Sequence, residues 1–176
     1  MSYFELYPDH ELLRLSYCSK ANFSHWAQAR GIEIELARMM RPAGSRPEDL
    51  RLGGIFHCGN AYFLTVVEGR LPAVQRFYQR TQQDERHRDE HIIDLRPIEK
   101  RRLQAGRLRY AGLERKLIRM LHQHGQHAFN PYDFNADLIA DFLELCKELD
   151  RPRPAPIAPQ PRPYGLARWF GRLRSS

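Results

Sequence analysis

Residues that could do chemistry are thinly scattered in this chain, and few of them fall at spacings that would let them act together. His122, His124 and His127 are the densest set of metal-type donors. Their spacing does not put all three on one face of a helix, so they read as a polar loop rather than a metal site. His57 and Cys58 are adjacent, but successive strand residues point to opposite faces, which excludes a nucleophile–base pair. The run Asp84-Glu-Arg-His-Arg-Asp-Glu-His91 mixes acids and bases and reads as a solvated turn, with His87 a helix-end histidine. No active site assembles from these pieces, and the expectation is that the protein is not an enzyme. Two polar positions stand out because their surroundings are apolar. Tyr17 closes an alternating run, where it reads as a core aromatic whose hydroxyl finds a local partner, and Thr65 is the one polar residue on its face of a strand.

The elements that must position these residues follow from hydrophobic periodicity. The stretch from Leu52 to Gly69 reads as a hairpin with the turn pair Gly59-Asn60. Its second arm is apolar on both sides: Tyr62, Leu64 and Val66 point one way, Phe63, Thr65 and Val67 the other. A strand of that kind belongs in the middle of a sheet covered on both faces. Glu11 to Tyr17 alternates as a first strand, with Leu13, Leu15 and Tyr17 on one face. Residues 22–31 suggest a short helical turn, and 32–41 a helix ended by Pro42. A second amphipathic helix spans 70–84 on Leu71, Val74, Phe77 and Tyr78, with Pro72 in its first turn. His91 to Arg96 is a fourth strand and Arg107 to Tyr110 a fifth. The order is β-α-β-β-α-β(β), an α+β, ferredoxin-like pattern with the first and third strands central and both helices on one face. Helices over 112–124 and from an Asn135 N-cap through Leu149 are the natural cover for the face of Tyr62, Leu64 and Val66.

Composition bounds the rest. The chain has 176 residues and is 42% hydrophobic, enough for a sizeable core. No apolar run approaches the roughly 18 residues needed to span a bilayer, and no signal-peptide region is evident at the N-terminus. Cys18, Cys58 and Cys146 are far apart and odd in number, which suits a reducing cytoplasm. The net charge of +7 is unevenly placed: residues 151–176 hold six arginines and no acid, leaving 22 basic and 21 acidic side chains in residues 1–150. A nearly neutral body argues against nucleic acid as a partner. Six prolines within 152–163 mark an extended linker. The expected organisation is a sheet domain over 1–110, a helical pair packed on it over 111–150, a Pro-rich linker over 151–163 and a cationic amphipathic tail over 164–176.

In their order and spacing, several pieces together resemble the BLUF domain, the bacterial family that senses blue light with FAD. They are Leu15-Ser-Tyr17 with Ser19, Leu52-Gly-Gly54, Phe63 through Glu68-Gly69, Asp84-Glu-Arg-His87 and Pro97-Ile-Glu-Lys-Arg-Arg102. The resemblance covers residues 11–110, and the two following helices match the usual extension. It implies a flavin lying between the two helices, against the sheet face that bears Tyr17. It also implies a third-strand Gln that bridges the Tyr to the flavin, in a hydrogen-bond network that light rearranges. The family-equivalent cofactor positions here are Tyr17, Thr65 and His87. Thr65 stands where the family has Gln, and a hydroxyl on a short branched stem cannot reproduce an amide's separate donor and acceptor. Pro47 stands where the family has the Asn that holds the flavin's pyrimidine edge. The Trp and Met usual on the fifth strand are missing near Arg107-Leu-Arg109. The expectation is a BLUF-like signalling or adaptor module that has lost flavin photochemistry, with no cofactor and with the old pocket filled. The expected filling residues are Tyr17, Phe63, Thr65, Met39 or Met40, and Phe77 or Val74. The alternative is an FAD-binding blue-light photoreceptor with an atypical pocket.

The tail carries its own signal. Leu166, Trp169, Phe170 and Leu173 fall at i, i+3, i+4 and i+7, with Arg168 and Arg172 largely off that stripe. A segment of this kind suits a groove on a protein partner or, as the alternative, an anionic membrane surface; a homo-oligomer is a separate option for the chain. The apolar face is small for membrane binding, so the protein partner is favoured and the location expected is cytoplasmic, becoming membrane-peripheral if lipid is bound. Changing Trp169 and Phe170 together to Ala is expected to abolish partner capture in a pull-down while leaving sedimentation with anionic liposomes unchanged. Loss of the liposome signal instead would assign the tail to membrane, and no change in either would make it a solvated appendage.

Overall fold

The structure is a computed structural model, and it describes residues 3–22, 51–111 and 114–147. The helix expected over 32–41, Met39, Met40, Pro47, the linker and the tail lie outside the described residues. Five strands form one sheet: β1 (Leu12–Ala21), β2 (Gly53–Gly59), β3 (Tyr62–Arg70), β4 (His87–Pro97) and β5 (Arg107–Tyr110), in the order β4-β1-β3-β2-β5. The first four are antiparallel to their neighbours and β5 runs parallel to β2. This is the ferredoxin-like arrangement with β1 and β3 at the centre.

Both faces are covered, as the doubly apolar third strand requires. Helix α1 (Leu71–Gln82) lies on one face, where Leu13, Leu15, Tyr17 and Val67 meet Leu71, Val74 and Tyr78. Its first turn has no side-chain cap, but Pro72 needs no acceptor there and the Leu71 N–H donates to the Glu11 carbonyl at 3.0 Å. Helices α2 (Glu114–Gln123) and α3 (Ala136–Lys147) cover the other face, packing Leu117, Leu121, Ile139 and Phe142 on Ile55, Leu64 and Val66. Burial of a side chain such as Phe142 stabilises by about 1.5–3 kcal/mol. Asn135 caps α3 as expected, its Oδ1 accepting from the backbone N–H groups of Asp137 and Leu138.

Two sequence expectations need correction. The hairpin turn is Asn60-Ala61 rather than Gly59-Asn60: Gly59 pairs with Tyr62, and both turn residues have positive φ, 50° and 63°. Right-handed strand twist selects this turn type, and it puts Ala61 in a region that a Cβ disfavours. The run 84–91 is only in part a turn, because β4 begins at His87 and continues β1's pairing through two register shifts. Asp89, at φ 56°, lies in this irregular part.

Glu68 joins three parts of the sheet. It is fully buried on β3, directly across from Arg14 on β1. Arg14 donates through Nε (2.8 Å) and Nη2 (2.6 Å) to the same oxygen, Oε1. Oε2 is thereby left to accept from the backbone N–H groups of Arg102 (2.6 Å) and Leu103 (2.9 Å) in the β4–β5 connection. On Glu68's other side its β2 partner is Gly53, where a Cβ would fall 2.5 Å from the Leu103 carbonyl oxygen. Only glycine admits the connection there. Removing the charge with Glu68→Gln leaves the Arg14 guanidinium buried without a counter-charge. The expected loss of unfolding free energy is about 3–5 kcal/mol, read by urea titration; a loss no larger than the roughly 1 kcal/mol of an exposed pair would show that Arg14 escapes to water.

A cleft between helix α1 and the sheet

One row of side chains crosses the α1 face of the sheet. Register places Tyr17 on β1 opposite Thr65 on β3, and Thr65 opposite Phe56 on β2. The row has tall aromatic residues at its ends and a short threonine between them, which leaves a notch. Helix α1 adds Phe77, Arg80 and Thr81 over it, and Asp84, His87 and Leu108 complete the lining of a cleft of about 140 Å³. The three family-equivalent positions, Tyr17, Thr65 and His87, therefore line one cavity. Of the residues expected to fill this face, Met39 and Met40 lie outside the described residues, and the others divide. Tyr17, Thr65 and Phe77 line the cleft, whereas Phe63 packs on Phe56 and Val74 lies in the core.

The cleft's polar groups are already engaged with one another. Thr81 Oγ1 donates to the Phe77 carbonyl at 3.3 Å, one helical turn back, and shares a 3.0 Å hydrogen bond with the Tyr17 hydroxyl. Burial pushes the Tyr17 hydroxyl up to about 12, against the smaller opposing effects of hydrogen bonding to Thr65 and Thr81. Tyr17 thus has the local partner that its sequence context suggests. Its ring meets Tyr78 edge-on at 5.2 Å.

His87 is not the solvated residue expected from its charged neighbours. It is half-buried against Phe63, with ring centroids 4.8 Å apart, and its Nδ1 shares a 2.7 Å hydrogen bond with Ser19 Oγ. Burial draws its pKa down to about 4, the Asp84 charge opposing this only in part. Burial also works to raise the Asp84 carboxyl, but Arg86 outweighs it. The Arg86 backbone N–H and a two-pronged guanidinium contact (Nε to Oδ1 at 2.8 Å, Nη2 to Oδ2 at 2.6 Å) hold Asp84 below its usual range.

Sequence reasoning missed Thr81, Arg80 and Asp84. Thr81 could have been found, because it continues the 71-74-78 stripe by one more step. Arg80 carried no such signal, and Asp84 was marked only as the first residue of the Asp84-Glu-Arg-His87 piece, without a place in the cleft. The remaining candidates lie apart from the cleft. His57 and Cys58 do face opposite ways: His57 is buried on the α2–α3 side with Nδ1 2.6 Å from the Ala111 carbonyl, and half-buried Cys58 packs toward Phe56 and Phe63. His122 and His127 have ring centroids 5.7 Å apart, while His124 binds Asp141 at 2.8 Å. Among the described residues no helix is long and apolar enough to cross a membrane.

The ferredoxin-like sheet has a helix-covered cleft on one face and a helical pair on the other. The family model for sensors of blue light using FAD (BLUF) matches residues 12–108. The chain belongs to the BLUF family. Among solved structures it is similar to the photo-activated state of BlsA, with a TM-score of 0.67, 21% identity, and 76% of this chain and 92% of that chain covered. The dark state of the BLUF protein BlrB follows, with a TM-score of 0.62, 21% identity, and 81% and 99% covered. A bacterial light-regulated adenylyl cyclase is similar over 79% of this chain but only 36% of its own, with a TM-score of 0.51 at 16% identity. No curated protein matches by sequence.

The depressed His87 pKa has a direction that can be measured. Between an unfolded value near 6.5 and a folded value of about 4, the unfolded chain binds the proton and the native one does not. This contribution to stability is therefore complete above about pH 6.5 and is lost as pH falls toward 4. Denaturant titrations at neutral and mildly acidic pH are expected to show a smaller acid-side loss for His87→Gln than for the wild type. Equal losses would mean that the imidazole is solvated.

Proposed function

We propose that this BLUF-family chain is a signalling or adaptor module that acts through protein contacts and has lost the family's flavin photochemistry. Tyr17 is the observation that carries the reading. Its phenol is tied to Thr81 on the covering helix and faces Thr65, a side chain with one small hydroxyl, where the family's light reaction uses a Gln. Among the described lining residues there is no carboxamide to bridge the tyrosine to a flavin ring. The cleft's volume, about 140 Å³, is also below the roughly 300–1,000 Å³ of pockets that hold drug-sized ligands. On these grounds the lining residues present do not fit FAD, and no step of the protein's action is routed through it. Each hydrogen bond removed from the ring by Thr65 and Pro47 forfeits about 1 kcal/mol net.

With the photochemistry gone, signalling falls to surfaces. The helical pair over 111–150 and the tail over 164–176, with Trp169 and Phe170 leading its apolar stripe, are the segments we assign to partner contact. The second reading, an FAD photoreceptor with an atypical pocket, is favoured by one observation: a cleft remains, with Phe56 and Phe77 for ring stacking and Arg80 at its rim.

The visible absorption spectrum of the purified chain separates the two. The expected spectrum is empty, with no flavin released on denaturation. Stoichiometric FAD carried through purification, with a light-induced red shift of its band, would establish the photoreceptor reading. Bound flavin without the shift would still place Thr65 outside the Gln's role.

A further inference from the structure

The near balance of charge over residues 1–150 conceals a segregation. Residues 100–119 hold eight Lys and Arg against the single acid Glu114, so the remainder of the body is net acidic. In the chain this stretch brackets β5. Lys100 and Arg101 lie in the β4–β5 connection that Glu68 holds. The connection leads into β5, the outermost of the described strands on that side, and α2 begins four residues after β5 ends. Arg115, Lys116 and Arg119 are exposed on α2, as is Lys100 in the loop, and Arg101 is half-buried. Arg102 is matched by Glu144 at 3.1 Å. Among the described residues, Lys100, Arg101, Arg115 and Arg119 have no carboxylate partner.

Like charges gathered without counter-charges raise the local potential and favour an anionic occupant. The strand beneath them narrows the choice. Among the described strands β5 has a neighbour on one side only, and the outward N–H and C=O groups of an edge strand are a template for one more strand. Nucleic acid fits less well, since stacking needs exposed rings. The exposed large apolar side chains among the described residues are Tyr3 and Leu6, in a segment whose Phe4 packs on α1 and whose Tyr7 donates to β4 at the opposite edge.

We propose that the β5 edge, with Lys100, Arg101, Arg115 and Arg119 around it, docks an extended acidic segment of a partner protein. The segment adds as a strand beside β5 while its carboxylates meet these cations. The inference rests on the adaptor reading only in that the partner is a protein. It places a contact on the folded body rather than on the tail, and it holds whether or not flavin is bound.

The probe is a short fluorescein-labelled peptide alternating Glu with Val, titrated with the full-length chain and followed by anisotropy. Binding that weakens as salt rises is expected. Arg115→Glu/Arg119→Glu, with circular dichroism confirming the fold, is expected to weaken it by about tenfold or more. Methylating alternate backbone nitrogens of the peptide is expected to do the same, because charge survives while strand pairing does not. Arg168→Gln/Arg172→Gln/Arg174→Gln is expected to leave binding unchanged, separating the body surface from the tail. Undiminished binding to the α2 variant, or by the methylated peptide, would overturn the proposal, as would a loss confined to the tail variant. A single-stranded oligonucleotide that competes more strongly than the peptide, with the same α2 dependence, would reassign the edge to nucleic acid. Flavin found in the protein with a light-induced red shift would overturn the loss of photochemistry without altering these results.

Discussion

The Glu68 carboxylate is the constraint from which much of the sheet's geometry follows. A fully buried charge is tolerable only when it is paired and its lone pairs are used. Here Arg14 takes one oxygen and two backbone N–H groups of the β4–β5 connection take the other. That arrangement fixes the β1–β3 register at Arg14, holds a connection that has no strand or helix of its own, and delivers β5 to the side of β2. The glycine at 53 is the steric half of the same device, since the connection passes where its side chain would be. From there Arg102 reaches Glu144 on α3, so one ionic centre touches both central strands and the helical cover.

The two faces of the sheet have different physics. The α2–α3 face is a continuous apolar core, with Phe142, Leu121, Leu64 and Ile55 fully enclosed. The α1 face is apolar toward β4 and polar toward the cleft, where Tyr17, Thr81, Ser19 and His87 satisfy one another. These two hydrogen-bonded pairs keep their groups satisfied, while burial draws the His87 pKa down. The β4 strand links the faces: His87 opens it beside the cleft, and two residues on, the Asp89 carbonyl accepts from Tyr132 on the other side. A change at the cleft therefore has a short path, two residues of β4 and one hydrogen bond, to the segment that precedes α3.

Much of this was legible without coordinates because it depends on local pattern. The double apolar face of Tyr62–Val67 dictated a central strand covered twice, and Asn135 announced a capped helix. The α1 stripe named its buried side. Errors arose where pattern was indifferent to the outcome. Gly59-Asn60 and Asn60-Ala61 are both plausible turn pairs, and cross-strand register chose the second although it strains Ala61. The charged run from 84 to 91 looks solvated from its residue types, yet pairing with β1 carries His87 into a half-buried position beside Phe63.

The sequence by itself determined the family and the strand–helix order, because both rest on periodicity and on motif pieces at fixed spacing. It also determined that a threonine stands at 65 and a proline at 47, since residue identity needs no coordinates. Only the tertiary structure decided that Glu68 and Gly53, which the motifs list separately, form one device around the β4–β5 connection. It alone brought Thr81 to Tyr17. These are contacts between residues distant in the chain, and they exist only once the sheet register is set.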